Sequence, residues 1–226
     1  MRKIFIKTIA ISVILILLAS SSYVSATNCV FKCSSNKYNK IALTFDDGPH
    51  PKQTKRILNM LDKYNVKATF FVVGVNIELY GDALVDVTNR GHEIGNHTNS
   101  HIVLKSLDKA KIQEEIDGCS KKLFEKFGCT TNLIRPPCGL FDENLIEIAE
   151  EEEMKIILWN IDTCDWNHES PCKMVKNIVK NVKGGDIILF HDYISGKNGT
   201  LEVLDTIIPV LKSKGFEFVT VSELLN

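Results

Sequence analysis

The sequence of 226 residues lacks several features that mark common classes of protein. It has no excess of basic charge, with 27 Lys and Arg against 28 Asp and Glu, which argues against nucleic acid or an anionic membrane surface as a partner. It has no internal repeat and no low-complexity tract, so one domain is the simplest organisation. No two cysteines have the C-x-x-C spacing, which disfavours a cysteine zinc site. A neutral or weakly charged substrate fits this composition.

The sequence also lacks a hydrophobic run long enough to span a bilayer. Its longest apolar stretch covers 9–18, follows three basic residues and leads to a small-residue cleavage pattern that ends at Ala26. Because a membrane span needs roughly 20 residues, we interpret 1–26 as a secretory signal peptide rather than an anchor. An N-terminal extension over 27–39 and one domain over 40–226 follow. We expect a secreted monomer in the extracellular space or cell wall, with no membrane partner after cleavage.

All seven cysteines follow the predicted cleavage point. In an oxidising compartment disulfides form and persist, so we expect disulfide bonds, although the sequence leaves their connectivity open. An odd number leaves at least one thiol unpaired within the chain. Asn198 begins an Asn-Gly-Thr acceptor for glycosylation in a glycine-containing segment.

Apolar runs alternate with segments of helical period along the rest of the chain. Seven short runs are typical of buried strands, at 41–45, 68–73, 93–95, 133–134, 156–159, 187–190 and 216–221. Between them, apolar residues recur at helical spacing around Leu58, Ile116, Ile178 and Ile207. This alternation predicts an α/β fold with parallel strands and helices outside, either as an open sheet or as a barrel of about seven strands.

Reactive side chains follow five of the seven runs. The clusters are Asp46-Asp47-Gly48-Pro49, His97-Thr98-Asn99-Ser100-His101, Arg135-Pro136-Pro137-Cys138, Asp162-Thr163-Cys164-Asp165-Trp166 and His191-Asp192. Because the carboxyl ends of parallel strands in a barrel meet at one rim, these clusters are predicted to form one site.

Asp47, His97 and His101 are the predicted metal ligands. Two imidazoles four residues apart on a helical turn point the same way, and one carboxylate completes a set that leaves positions open for water and substrate. The adjacent carboxylates of Asp46 and Asp47 are costly unless a cation lies beside them, which a metal ion would provide. This ligand set does not distinguish zinc from other divalent metals.

In this order and spacing, the five clusters resemble the polysaccharide deacetylases of carbohydrate esterase family 4, the NodB homology domain. The resemblance covers about Lys40 to Asn226. It implies a distorted (β/α) barrel with about seven parallel strands. It also implies a hydrolase that releases acetate from N-acetylglucosamine units of a polysaccharide, with a divalent metal ion, most often zinc, as cofactor.

The same resemblance assigns four catalytic roles. Asp46 is the general base toward the attacking water, and Arg135 pairs with it and keeps it ionised. His191 is the general acid that protonates the leaving amine. Asp162 orients His191 and favours its protonated form, with Asp165, three residues further on, as the alternative for this role.

Three further residues are implied to contact the substrate. The backbone N–H of Cys138 helps to hold the oxyanion, and Trp166 with Leu189 forms the apolar pocket for the acetyl methyl group. Cys138 departs from the family, which commonly has Tyr there, and Cys164 is its candidate disulfide partner. Trp159 is predicted to belong to the core.

Chitin is the polymer that the sequence favours, because secretion and the many cysteines suit a eukaryotic extracellular enzyme. The same site would serve a peptidoglycan N-acetylglucosamine deacetylase or an acetyl xylan esterase. A non-catalytic sugar-binding protein is disfavoured, since Asp46 and His191 are both present. Of the other histidines, His50 and His92 are predicted to be structural and His168 to lie on the surface.

Overall fold

The strands of this protein form one parallel sheet. A computed structural model describes residues 29–34, 39–196 and 199–226; the predicted signal peptide and Asn198 lie outside them. Within these ranges the strands are β1 Val30–Phe31, β2 Lys40–Gly48, β3 Thr69–Val72, β4 Glu93–Asn96, β5 Leu133–Ile134, β6 Lys155–Ile157, β7 Ile161–Asp162, β8 Ile187–His191 and β9 Glu217–Val219. Each of the seven predicted runs contains or overlaps a strand, and β1 and β7 are additions of two residues each.

The strand order is β1-β6-β5-β4-β3-β2-β8-β7, with β9 also paired to β2. Every strand pairing is parallel. The sheet curves into a half-barrel with helices around it, which confirms the predicted distorted (β/α) barrel. All parallel strands therefore deliver their carboxyl ends to the same rim.

Eight α-helices in the described ranges cover the sheet. They are α1 Gln53–Lys63, α2 Gly74–Tyr80, α3 Asp82–Asn89, α4 Lys109–Phe127, α5 Glu143–Glu151, α6 Pro171–Asn181, α7 Thr200–Ser213 and α8 Val221–Leu225. The four predicted helical segments correspond to α1, α4, α6 and α7, and the other four helices, α2, α3, α5 and α8, are additions to them. None of the described helices combines the length and apolar composition that crossing a bilayer requires.

Helix α4 is the longest of the described helices and lies behind the loop that carries His97 and His101. Asp108 caps it by accepting a hydrogen bond from the Lys111 N–H at 2.8 Å, and Gly128 ends it in the left-handed conformation that glycine adopts without strain. Its buried stripe contains one charged residue, Glu115, between Ile112 and Cys119.

The centre of the sheet is held by aromatic stacking across three neighbouring strands. Phe45 of β2 stacks on Phe70 of β3 with ring centroids 5.0 Å apart, and on Phe190 of β8 at 5.8 Å. All three rings are buried. Such pairs add to the stabilisation from burial alone, so the strand ends that carry Asp46 and His191 project from a rigid base.

The first described segment, 29–34, contacts the sheet in two places. Val30 and Phe31 pair with Ile156 and Ile157 of β6. Further along, the Ser34 N–H donates to the Gly185 carbonyl oxygen at 2.8 Å, just before β8 begins. The segment therefore joins the β6 side of the half-barrel to the β8 side.

Candidate active site

The five strand-end clusters meet around one pocket of about 370 Å³. Its walls are formed by Asp46, Asp47, His97, His101, Cys138, Trp159, Asp162, Trp166, Leu189 and His191. Arg135, the remaining predicted site residue, is buried beneath the pocket. Trp159 was predicted to belong to the core, but the structure places it in the pocket wall as well as against buried residues.

Asp47, His97 and His101 converge so that one ligand atom from each lies within 4.8 Å of the others. Asp47 Oδ1 is 3.0 Å from His101 Nε2 and 3.4 Å from His97 Nε2. That oxygen is buried without a completed hydrogen bond to any described residue. Burial acts to raise the pKa of Asp47, but the two imidazoles outweigh it and hold the pKa below its usual range. A cation shared by the three side chains fits this donor set.

The orientation of His97 is fixed from behind. Its Nδ1 lies 2.7 Å from the carbonyl oxygen of Arg135, and a carbonyl oxygen can only accept, so Nδ1 carries the proton. The lone pair of Nε2 then points toward the pocket, which is the arrangement in which histidine binds a metal ion.

The loop that carries the two histidines is not the helical turn that their spacing predicted. Thr98 and His101 have left-handed backbone conformations, with φ of 69° and 59°. The Asn96 side chain stabilises the turn by accepting from the Thr98 N–H at 2.7 Å. The histidine rings nevertheless meet, with centroids 5.0 Å apart, because two left-handed residues fold the loop back on itself.

Helix α4 anchors this loop through polar contacts. The Glu115 carboxylate accepts from both the N–H and the hydroxyl of Ser100, each at 2.8 Å. The Asn96 amide donates to the Ile116 carbonyl oxygen at 2.9 Å. The sequence reasoning missed Glu115, although a carboxylate on an otherwise apolar helical stripe was an available signal.

Substitution of Glu115 by Gln is expected to weaken the binding of a divalent metal ion by about tenfold to a hundredfold, the range for groups that support metal ligands. The N–H and the hydroxyl of Ser100 each donate to a different oxygen of Glu115, and Gln has only one such oxygen. The loop before His101 would therefore lose one of the two hydrogen bonds that fix it. Competition with a chromophoric chelator measures the affinity. Glu114→Gln is the matched control, because Glu114 is exposed and pairs only with Lys111. Equal affinities in the two variants would contradict the role of Glu115.

Asp46 and Arg135 form a buried ion pair below the metal ligands. Arg135 Nη1 donates to Asp46 Oδ1 at 2.7 Å, and both side chains are almost fully buried. The guanidinium also donates to Thr44 Oγ1 and to the carbonyl oxygens of Ile157 and Leu158. Asp46 Oδ2 is left facing the pocket, where a carboxylate can take a proton.

His191 lies on β8 opposite Asp46 of β2, and its partner is Asp165. His191 Nδ1 is 2.8 Å from Asp165 Oδ1. The prediction that Asp162 orients His191 is wrong, because the Asp162 carboxylate instead accepts from the Cys164 N–H at 2.7 Å. Cys164 is left-handed, with φ of 57°, and this turn brings Asp165 under the imidazole.

The pKa of His191 is raised to about 9. Burial acts to lower it, but the hydrogen bond and charge of Asp165 outweigh burial. His191 is therefore protonated at neutral pH with Nδ1 engaged, which leaves Nε2 as the atom able to give a proton to a substrate.

Replacement of Asp165 by Asn is expected to move the alkaline limb of the kcat/KM profile to lower pH by one unit or more. Because His191 is the predicted general acid, activity should fall as pH rises through its pKa, and loss of the Asp165 charge lowers that pKa. Profiles of both enzymes with the same metal bound provide the measurement. Asp162→Asn serves as the control, and an equal shift there would contradict the assignment to Asp165.

Comparison with known proteins decides the family. The sequence model for polysaccharide deacetylase matches residues 34–157. The chain belongs to the polysaccharide deacetylase family. A peptidoglycan-N-acetylglucosamine deacetylase from Bacillus cereus is 39% identical over 194 residues, which cover 84% of this chain and 90% of that protein.

Solved structures of two similar polysaccharide deacetylases share the fold. The Bc1960 peptidoglycan N-acetylglucosamine deacetylase superposes with a TM-score of 0.84 at 36% identity, covering 87% of this chain and 92% of that one. A family 4 acetyl xylan esterase from Clostridium thermocellum, in complex with a cobalt ion, has a TM-score of 0.76 at 36% identity, covering 82% and 89%. Polysaccharide deacetylases of carbohydrate esterase family 4 are hydrolases that use a divalent metal ion, and the Asp47, His97 and His101 set fits one.

Cys138 lines the pocket, at the position where the resemblance led us to expect Tyr. It has φ of 59° and an exposed side chain in the short turn Pro137–Gly139. The expected disulfide between Cys138 and Cys164 is not formed, and all seven cysteines, each of which the structure describes, carry free thiols. Of the two residues predicted to contact the acetyl methyl group, Trp166 is 53% exposed and Leu189 is 2% exposed. One side of that apolar pocket is therefore open to solvent and the other is buried.

Asp192 lies beside the deacetylase site, in the His191-Asp192 cluster, and the sequence analysis gave it no role of its own. Its side chain is buried, accepts from Thr54 Oγ1 at 2.5 Å, and lies where a Cβ at position 48 would be, so that only glycine fits at Gly48. Its N–H donates to the Asp46 carbonyl oxygen at 3.1 Å. Burial raises the pKa of Asp192 to about 7.

The remaining histidines have the roles that were predicted. His50 Nδ1 accepts from the N–H groups of Lys52 and Gln53 at the start of α1. His92 is buried and accepts from the Ala68 N–H at 3.2 Å. His168 is exposed.

Proposed function

We propose that this protein removes acetyl groups from N-acetylglucosamine residues of peptidoglycan, in the extracellular space or cell wall, with zinc as its metal ion. The observation that carries the proposal is the placement of a base and an acid on neighbouring strands in one pocket. Asp46 and His191 occupy paired positions of β2 and β8, each with its own buried partner, and the metal ligands lie beside them.

The residues of the pocket suit amide hydrolysis. Leu189 and Trp166 would hold the acetyl methyl group, and the backbone N–H of Cys138 would stabilise the oxyanion. A bound divalent ion acts as a Lewis acid toward the acetyl carbonyl and the attacking water. Asp46 takes the proton from that water, while Arg135 holds the other oxygen of the carboxylate in place.

His191 completes the reaction by protonating the departing amine. An amine anion is too poor a leaving group to depart, so a proton must reach the nitrogen as the C–N bond breaks. His191 Nε2 supplies it, and Asp165 stabilises the imidazolium before transfer. The products are acetate and the free amine of a glucosamine unit.

Peptidoglycan is favoured over the chitin that the sequence predicted. The chitin prediction rested on secretion and on the many cysteines, and the structure joins none of the seven cysteines in a disulfide bond. Two of the similar proteins described above are peptidoglycan deacetylases by name. The similar acetyl xylan esterase makes acetylated xylan the second substrate to test.

Acetate release by the zinc-loaded chain over 27–226 tests the proposal. Peptidoglycan, chitin oligomers and acetylated xylan are compared at equal acetyl content, with His168→Gln as a surface control. We expect the highest kcat/KM on peptidoglycan. Faster release from xylan would show that the protein is an esterase rather than an amidase. No release from any of the three substrates would contradict the proposal that it is a deacetylase.

A further inference from the structure

A second cavity, of about 510 Å³, lies on the rim next to the catalytic pocket. It is lined by His50, Lys52, Arg56, Ile194, Leu201 and Glu202, among others. His50 follows Asp47 by three residues, and Ile194 follows His191 by three. Because three residues span at most about 11 Å, the cavity and the catalytic pocket open from the same two strand ends.

The cavity concentrates positive charge on a chain that is close to neutral overall. The segment 49–56 contains three basic residues and no acidic one. Many basic side chains elsewhere, such as Lys63 and Arg90, pair with a carboxylate. By contrast, no described carboxylate pairs with Lys52 or Arg56, and Arg56 donates only to the Gln53 amide oxygen at 3.3 Å.

The remaining walls of this cavity consist of the imidazole ring of His50, which is held in place, and of apolar side chains. His50 is held by the two N–H groups that its Nδ1 accepts and by the ring of Tyr193, 4.9 Å away. Ile194 and Leu201 supply apolar surface, and Glu202 is the single acidic residue of the lining. A ligand with a carboxylate and short apolar groups matches this mixture better than an uncharged sugar does.

We propose that this cavity binds a carboxylate carried by the sugar next to the one being deacetylated, and so selects peptidoglycan over uncharged glycans. The inference rests on the proposed function. In peptidoglycan the neighbouring sugar bears a lactyl group extended by a peptide, whereas chitin has neither. Only three residues of chain separate the cavity lining from Asp47 and from His191, so a substituent on the neighbouring sugar is the part of the substrate that would enter it.

Three substrates of matched length separate the sources of the carboxylate. They are glycan strands with peptides, the same strands after an amidase has removed the peptides and left the lactyl carboxylates, and chitin oligomers. The chain over 27–226, its Lys52→Gln/Arg56→Gln double variant and the control Lys55→Gln are assayed for acetate release. Lys55 is an exposed lysine of the same helix that does not line the cavity.

We expect the unmodified chain to prefer a carboxylate-bearing strand over chitin. The ratio of the two kcat/KM values should fall by about fivefold in the double variant, as expected for two exposed ion pairs, and also at high salt. Lys55→Gln should leave the ratio unchanged. The preferred strand, with or without peptide, identifies which carboxylate is bound.

An unchanged ratio in the double variant, or an equal fall in Lys55→Gln, would overturn this inference while leaving the deacetylase activity in place. Absence of acetate from all three substrates is a different result, because it would remove the proposed function itself.

Discussion

Asp46→Asn is expected to lower kcat/KM for acetate release by about 10²–10⁴-fold, the contribution of a general base. Asn occupies the same volume and still accepts the hydrogen bond from Arg135, but it cannot take a proton from water. The metal ligands Asp47, His97 and His101 are unchanged. Zinc content by atomic absorption, measured on the sample used for kinetics, should therefore remain at one ion per chain.

Asp86→Asn is the matched control, because Asp86 is a surface residue paired with Arg90. Asn at position 46 leaves the buried guanidinium without a counter-charge, so circular dichroism must first establish a temperature at which the variant is folded. An Asp46→Asn enzyme that is folded and zinc-loaded and keeps more than about a tenth of the activity would contradict the role of Asp46 as base.

Arg135→Met is expected to lower the free energy of unfolding by about 3–5 kcal/mol, the cost of breaking a buried ion pair by removing one partner. The substitution leaves Asp46 charged and unpaired. It also removes the donors to the carbonyl oxygens of Ile157 and Leu158 and the guanidinium that stacks 4.1 Å from the Phe71 ring. Urea unfolding of the metal-free protein measures the loss without a contribution from zinc binding.

Two companion variants define the source of that loss. Arg90→Met removes an arginine whose carboxylate partners are exposed, and it should cost about 1 kcal/mol or less. The double variant Asp46→Asn/Arg135→Met should be more stable than the sum of the single losses predicts, because neither member leaves an uncompensated charge. Additive losses would show that Arg135 stabilises the fold by packing rather than by charge.

Most of the fold was predictable because its strands are buried on both faces. Such strands appear in the sequence as continuous apolar runs, and all seven predicted runs were found. Strands β1 and β7 contain two residues each, which is too short for any periodicity. Helices α2 and α3 follow one another with only Gly81 between them, so the sequence contains no loop signal to separate them.

The site was predictable where chemistry depends on position at a strand end, and less so within loops. Asp47 lies one residue before the end of β2 and His191 ends β8, and the parallel pairing of these strands brings the two residues together. Whether Asp162 or Asp165 contacts His191 depends on the left-handed turn at Cys164. Residues other than glycine rarely adopt this conformation, so the sequence does not predict it. Glu115 supports the metal loop from a helix 14 residues past His101, a contact that only tertiary packing reveals.

The segment over 29–34 has a consequence for the order of folding. It is the first part of the described chain to be synthesised, yet its partners on β6 and before β8 come late in the sequence. Contacts so distant along the chain are costly to form early. We expect this segment to dock last, after the other strands have assembled, so hydrogen exchange during refolding should protect the Ser34 amide later than that of Phe45.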